Sequence, residues 1–396
     1  MIPADAIQPP AWMREPAVER VMQALARGGQ PARFVGGAVR DTVLGKPVAD
    51  LDVATPLTPE AATRALEAAG VRVIPTGLAH GTVTALAEAR HIEITTLRHD
   101  VETFGRHARV AFTDDWDADA ARRDFTINAL FADPDGTLYD PTGQGLDDLR
   151  AARVRFIGDP AQRIAEDYLR VLRFFRFHAR YGGGAPDGEA LAACAAAAAK
   201  LDGLSPERVW SELKRLLAAP DPAPMIAAMA AHGILPHVLP VSADPDLLAR
   251  LGAAPPLCRL AALIGAPAAV APTARRLRLS NAESAVLEAI LGAAAIVEQP
   301  ACRLVRRFGR AAARDGVRLA AARGLASERA HAIAAAIAGW VEQKLPVDGD
   351  DVLALGVAPG PQVGTLLGRL AAWWEDQDCT ADRAACLAQL RALAGR

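Results

Sequence analysis

Between Arg33 and Thr55 the chain reads RFVGGAVRDTVLGKPVADLDVAT, and few folds accommodate that order of residues. Phe34 and Val35 form a short apolar strand. Gly36 and Gly37 turn it into a short helix over Ala38 to Leu44. Gly45, Lys46 and Pro47 then lead into a second strand that carries Asp50 and Asp52. Positions two apart on a strand share a face, so the two aspartates are predicted to project side by side with Leu51 turned into the core. Adjacent carboxylates repel unless a cation lies between them, which makes the pair a candidate divalent metal site. The glycines leave backbone N–H groups bare at a helix N-terminus, where a phosphate is favoured. Metal ligands beside a phosphate cradle point to phosphoryl or nucleotidyl transfer.

The flanking sequence extends the same unit. Helices are predicted over 16–28 and 59–69, and strands over 71–74, 82–87 and 91–97. Glu93 lies on the last of these strands as a candidate third carboxylate. Residues 98–116 mix both charges without periodicity and read as a loop. In RRDFTINAL (122–130), Asp124 reads either as the N-cap of a short helix or as a ribose ligand, with Arg122 or Arg123 for phosphate. Beyond Asp159 strand alternation ceases and helical spacing takes over. A single helix is predicted over 160–180, capped by Asp159 with Pro160 at its first position. Its polar face carries Asp167, Arg170, Arg173 and Arg176 at intervals of three. A carboxylate and guanidinium on one ridge suit the edge of a nucleobase, and they equally suit a solvated ion pair.

GGAVRD followed by DLDVAT, then RRDFTINA and EDYLRVLR, resemble the motifs of the class II tRNA nucleotidyltransferases and bacterial poly(A) polymerases, in the polymerase-β-like superfamily. The likeness covers about residues 33–217. It implies an α+β fold: a head with a small mixed sheet (1–152), a helical neck (153–217), a helical body (218–300) and a helical tail (301–396). It implies two Mg²⁺ ions on Asp50 and Asp52, with Glu93 as a further catalytic carboxylate. Gly36, Gly37, Arg40, Arg122, Arg123 and Asp124 would surround the triphosphate and ribose. Asp167 and Arg170 would select the base, with Arg173 and Arg176 on phosphate or bracing that pair. Tyr168 stands where many relatives carry proline. Glu207, Arg208 and Glu212 would steady the base-reading helix. The segment 98–116 corresponds to a loop associated with the change from CTP to ATP. The expected reaction is addition of CCA to the 3′ end of tRNA from CTP and ATP. Poly(A) synthesis, or addition of CC or A alone, uses the same head motifs. An inactive RNA-binding relative would have no need of Asp50, Asp52, Asp167 and Arg170.

Composition narrows the remaining classes. The 396 residues are 51% hydrophobic with net charge −2, which excludes a disordered chain and a global basic field. Basic character is local: Arg303, Arg306, Arg307, Arg310 and Arg314 recur at helical spacing, a candidate RNA-binding stripe. The five cysteines, at 194, 258, 302, 379 and 386, show no zinc spacing and are expected to be reduced thiols in a cytoplasmic protein. The N-terminus lacks a secretory pattern, and the alanine-rich run at 190–199 is too short for a membrane span. Oligomeric state is not legible at this level.

Overall fold

The computed structural model describes residues 1–78, 81–88, 90–104 and 107–395. Among them are ten strands: β1 (Asp5–Ala6), β2 (Arg33–Val35), β3 (Leu51–Thr55), β4 (Arg72–Gly77), β5 (Thr82–Ala87), β6 (Arg90–Thr96), β7 (Arg98–Phe104), β8 (His107–Phe112), β9 (Phe131–Ala132) and β10 (Thr137–Tyr139). Eight of these form one mixed sheet in the order β1-β10-β9-β2-β3-β6-β5-β4. β2 and β3 are antiparallel, with Phe34 opposite Val53. β3 and β6 are parallel, with Asp52 opposite Glu93. Phe34, Leu51, Val53, Ile92 and Ile94 are buried to 2% exposure or less, so alternate positions of the central strands make the core.

Helices α1 (Pro16–Arg27), α2 (Gly37–Val43), α3 (Pro59–Ala68), α4 (Trp116–Ala121), α5 (Gly145–Arg150), α6 (Pro160–Glu166), α7 (Leu169–Tyr181) and α8 (Gly188–Ala196) complete this part of the chain. The N-terminal signals work as read. Pro16 and Pro59 sit in the first turns of α1 and α3, and Thr58 caps α3 by accepting from the Ala61 N–H.

Three expectations change. Residues 98–112, read as part of a loop, include β7 and β8 paired as an antiparallel ribbon with an irregular register between Asp100 and Glu102. That bulge breaks the two-residue period by which a strand is recognised; residues 105 and 106 lie outside the described residues. The helix predicted over 160–180 is two helices. Asp167 adopts an extended backbone (φ −151°, ψ 105°), and its Oδ1 accepts the Leu169 N–H at 3.1 Å. The aspartate thus ends α6 and supplies an acceptor to the start of α7, the competition by which Asp disfavours helix interiors. Third, Asp124 caps no helix: the 3-10 turn at Thr126–Asn128 begins after Phe125, with no side-chain cap.

The chain divides into two compact units, Met1–Leu204 with His232–His237, and Ser205–Ala231 with Val238–Arg396. All strands fall in the first. The second is helical, as predicted. Its helices at Asn281–Ala295 and Arg310–Ala322 approach so closely that a Cβ on Gly316 would lie 2.6 Å from that of Ala293. Arg259, buried to 3% exposure, donates to the carbonyls of Leu217, Ala219, Pro220 and Gly252, where helices end. Glu207, Arg208 and Glu212 lie on Pro206–Leu217 in this unit, with Glu212 buried. Cys302 and Cys379 are joined as a disulfide, with Cα atoms 6.0 Å apart, which corrects the expectation of five reduced thiols. The separation of 77 residues hides their proximity in the sequence. Cys194, Cys258 and Cys386 are buried free thiols. No single helix among the described residues is long and apolar enough to cross a membrane; one bent pair, Pro256–Ile264 with Pro267–Leu277, passes by length and composition alone.

Candidate active site

The site assembles where β3 lies between β2 and β6. Asp50 is exposed just before β3, Leu51 is buried, and Asp52 is half-buried. This alternation places the two carboxylates on one side of the strand, as the spacing predicts. The parallel register sets Glu93 directly beside Asp52, one strand spacing of about 4.8 Å away. Burial, then the negative charge of Glu93, pushes the Asp52 carboxyl up to about 6; Asp50 adds to this, while Arg123 and Arg40 oppose it. Such crowding is relieved by a cation. Among the described residues no group of three or more His, Cys, Asp or Glu is placed to hold a metal ion. The pair Asp50 and Asp52 suits Mg²⁺, which keeps water in its shell and takes one or two carboxylates plus substrate phosphate oxygens.

Gly36 precedes α2 with φ 66° and ψ −122°, a region essentially reserved for glycine. Its N–H donates to the Leu130 carbonyl, and a Cβ there would lie 3.7 Å from Nη1 of Arg123. Gly37 opens α2 beside the Arg40 guanidinium. Arg40 is buried to 6% exposure. It donates to Asp41, to Asn128 and to the Tyr181 hydroxyl, and its guanidinium stacks 4.0 Å from the Tyr181 ring.

The arginine turn is built around Asp119 of α4, a residue sequence reasoning missed. Asp119 is 1% exposed and accepts from both Arg122 and Arg123. Its spacing of three and four from these arginines, across the end of α4, was the available signal. Burial, together with the positive charges of Arg123 and Arg98, lowers Arg122 to about 10 despite Asp119, so it stays protonated at neutral pH. Arginines crowded about one carboxylate favour an added anion such as a phosphate.

Asp124 is also buried. Its Oδ2 accepts from Nε and Nη2 of Arg173, and its Oδ1 from the Phe125 N–H and the Asn128 side-chain amide. Four donors fill the acceptor capacity of one carboxylate, so a ribose hydroxyl at Asp124 would displace one of them. Arg173 is thereby tied to the turn, and Arg176 lies 4.3 Å from the Phe177 ring. Asp167 sits at the break before α7. Arg170, one turn on, donates to Glu166 at 2.5 Å and to the carbonyls of Arg163 and Arg122 at 2.7 and 3.3 Å. Phe125, Phe156, Phe174 and Phe177 stack beneath and hold α7 against the turn.

The tail arginines lie in the second unit and divide into two groups. Arg303 pairs with Glu375 and Asp376, Arg306 pairs with Glu375, and Arg310 donates to the carbonyls of Ile337, Ala338 and Trp340. Arg306, Arg307, Arg310 and Arg314 are all exposed, so the division lies in their partners and not in their burial. Arg306, Arg307 and Arg310 line a cavity of about 730 Å³ with Trp340, Glu342 and Glu375.

Comparison with known proteins agrees with this geometry. Residues 32–155 match the family described as the poly A polymerase head domain, and residues 185–244 match "Probable RNA and SrmB- binding site of polymerase A". The chain is 36% identical over 358 residues to CCA tRNA nucleotidyltransferase 1, mitochondrial, of Danio rerio, covering 87% of this chain and 83% of that protein. It is 37% identical over 237 residues to the CCA-adding enzyme of Geobacillus stearothermophilus, covering 59% of this chain and 57% of that one. The crystal structure of the Bacillus stearothermophilus CCA-adding enzyme in complex with CTP superposes with a TM-score of 0.78 at 26% identity, over 96% of this chain and 98% of that chain. With the fold and the relatives in agreement, this chain belongs to the CCA tRNA nucleotidyltransferase family and is a nucleotidyltransferase.

Proposed function

We propose that the protein adds CMP, CMP and AMP to the 3′ end of tRNA from CTP and ATP, releasing pyrophosphate. The observation that carries this reading is the convergence of Asp50, Glu93, Arg123 and Arg40 on the half-buried Asp52 carboxylate, within a chain of this family. Asp50 and Asp52 are the residues that would hold Mg²⁺, with Glu93 beside them. An Mg²⁺ held by these carboxylates would supply acidification of the attacking hydroxyl and offset charge on the triphosphate. Gly37, Arg122 and Arg123 receive the triphosphate; the Gly36 N–H is not bare as expected but donates to the Leu130 carbonyl, so Gly36 supplies the turn. The tRNA 3′ oxygen attacks the α-phosphorus, its proton passes to solvent water, and the bond to the leaving pyrophosphate breaks.

Asp167 and Arg170 read the base edge. Cytosine and adenine both present an amino donor beside a ring acceptor, which a carboxylate and a guanidinium match; guanine and uracil reverse that order. Arg173 and Arg176 orient this helix. Asp124 acts by holding Arg173, and Arg40 by bracing α2 against Tyr181. Arg307 and Arg314 are the tail residues suited to an RNA backbone, beside Arg306 and Arg310, which are also exposed but bonded to Glu375 and to the carbonyls of Ile337, Ala338 and Trp340.

The test is incubation with tRNA ending at its discriminator base, Mg²⁺, CTP and ATP, followed by sequencing of the 3′ ends. CCA is expected on the product. A run of adenosines, termination after CC, or no addition would refute the reading.

A further inference from the structure

The arginine turn and the base-reading segment are joined by a residue that the motif reading left out. Arg163 lies on α6, one turn before Asp167, and is 8% exposed. Its Nη2 donates to the main-chain carbonyls of both Arg122 and Arg123, the latter at 2.6 Å, and its Nη1 to Oε2 of Glu166 at 2.5 Å. The same Glu166 oxygen accepts from Arg170 at 2.5 Å, and the same Arg122 carbonyl accepts from Arg170 at 3.3 Å. The Arg163 carbonyl accepts a further bond from Arg170. Two guanidinium groups therefore share one carboxylate and one backbone oxygen in a closed ring.

We propose that Arg163, with Glu166, is a positioning residue for base selection: it locks the Arg170 guanidinium in register with the Arg122–Arg123 turn. This rests on the function proposed above. The physical case has three parts. A buried guanidinium on two carbonyls satisfies backbone groups that no helix or strand pairs. A fork of fixed planar donors transmits orientation, which a point charge such as Lys does not. Finally, because Asp167 sits at a break between two helices, no continuous α-helical ladder fixes Arg170 relative to α6; the Glu166–Arg163 ring does so instead. The Arg170 guanidinium then moves with the arginine turn that grips the phosphates, while Asp167 at the break keeps its own freedom; discrimination through unpaired polar groups needs the first of these held in place.

The test is kinetic. Steady-state incorporation of CMP, AMP and UMP into tRNA lacking CCA is compared in wild type, Arg163→Met and Arg163→Lys. The methionine variant is expected to lower the CTP-over-UTP ratio of kcat/KM by about tenfold or more, chiefly through KM for CTP, with lysine intermediate. The ratio does not depend on the fraction of folded enzyme, so a merely structural role leaves it unchanged, and an unchanged ratio overturns the proposal. Where the methionine variant does not fold, Glu166→Gln is read in the same way: a fall in the ratio supports the ring and an unchanged ratio overturns it. If wild type adds no nucleotide, the proposed function fails and positioning is read without substrate. Amide hydrogen exchange over 122–128 is then expected to rise about tenfold in Arg163→Met, and an equal rate overturns the clamp.

Discussion

Replacing Asp124 by asparagine keeps the shape of the side chain and changes only what its atoms offer. Both carboxylate oxygens act purely as acceptors, Oδ2 for Arg173 and Oδ1 for the Phe125 N–H and the Asn128 amide. An asparagine presents one acceptor and one NH₂. Whichever way the amide is turned, a donor faces a donor. The two bonds from Arg173 are charge-assisted and worth about 1.5–3 kcal/mol each. The Arg173 side chain is 30% exposed, so water recovers part of the loss. The expected destabilisation is about 2–4 kcal/mol at neutral pH, or about 5–12 °C in the melting of the first unit. The effect depends on pH in a definite direction. Burial raises the Asp124 carboxyl, but the Arg173 charge and the bonds from Asn128, Arg173 and Phe125 outweigh it and hold the group below its unfolded value of 3.8. Its stabilisation is therefore complete above that value and lost as the pH falls through the folded one. The urea dependence of amide exchange in the β2–β9 ladder reports this unit by itself. A variant within about 0.5 kcal/mol of wild type, or a difference that stays constant on acidification below about pH 4, would refute the argument.

Asp52→Asn is expected to abolish nucleotide incorporation while tRNA affinity, measured by filter binding, changes by less than about threefold; retained incorporation would remove Asp52 from the chemistry. Gly36→Ala forces a side chain onto φ 66°, ψ −122° and should cost about 2–3 kcal/mol by urea unfolding, even though its Cβ would meet Arg123 and Asn128 only at an ordinary contact distance of 3.7 Å. In the second unit Glu283 accepts from Lys214, from Ser280 and from Trp210, and these bonds outweigh burial to lower it to about 2. That contribution is present above the unfolded value of 4.5 and lost as the pH falls toward 2. Glu283→Gln should therefore flatten the acid limb of that unit's unfolding and cost about 1–2 kcal/mol near neutrality, checked by calorimetry across the pH range.

The head was legible because its chemistry is local. Gly36 and Gly37, the spacing of Asp50 and Asp52, and the apolar alternation of 82–87 and 91–97 each follow from periodicity over a few residues, and the strands form where expected. That Glu93 lies beside Asp52 needed the parallel register, which no local pattern encodes. The break at Asp167 escaped because the apolar spacing of 160–180 continues across it, whereas one side-chain bond to Leu169 decides the backbone. Arg163, Asp119 and Tyr181 were missed for two different reasons. Arg163 and Tyr181 reach partners 40 and 141 residues away, which no local pattern shows, whereas the partners of Asp119 lie within one turn and its spacing could have been read. The arginine row at 303–314 shows what spacing leaves out: Glu375, Asp376 and the carbonyls of Ile337, Ala338 and Trp340 give Arg303, Arg306 and Arg310 partners that no helical period reveals.

The strand order carries a further consequence. β3 has four strands on one side and three on the other, so its end is among the last parts of the sheet to open when the edges fray. Asp167, by contrast, stands at a joint that no helix spans. Stiffness is thus concentrated where like charges must be kept together against their own repulsion, and the latitude lies where one pocket has to accommodate first a pyrimidine and then a purine.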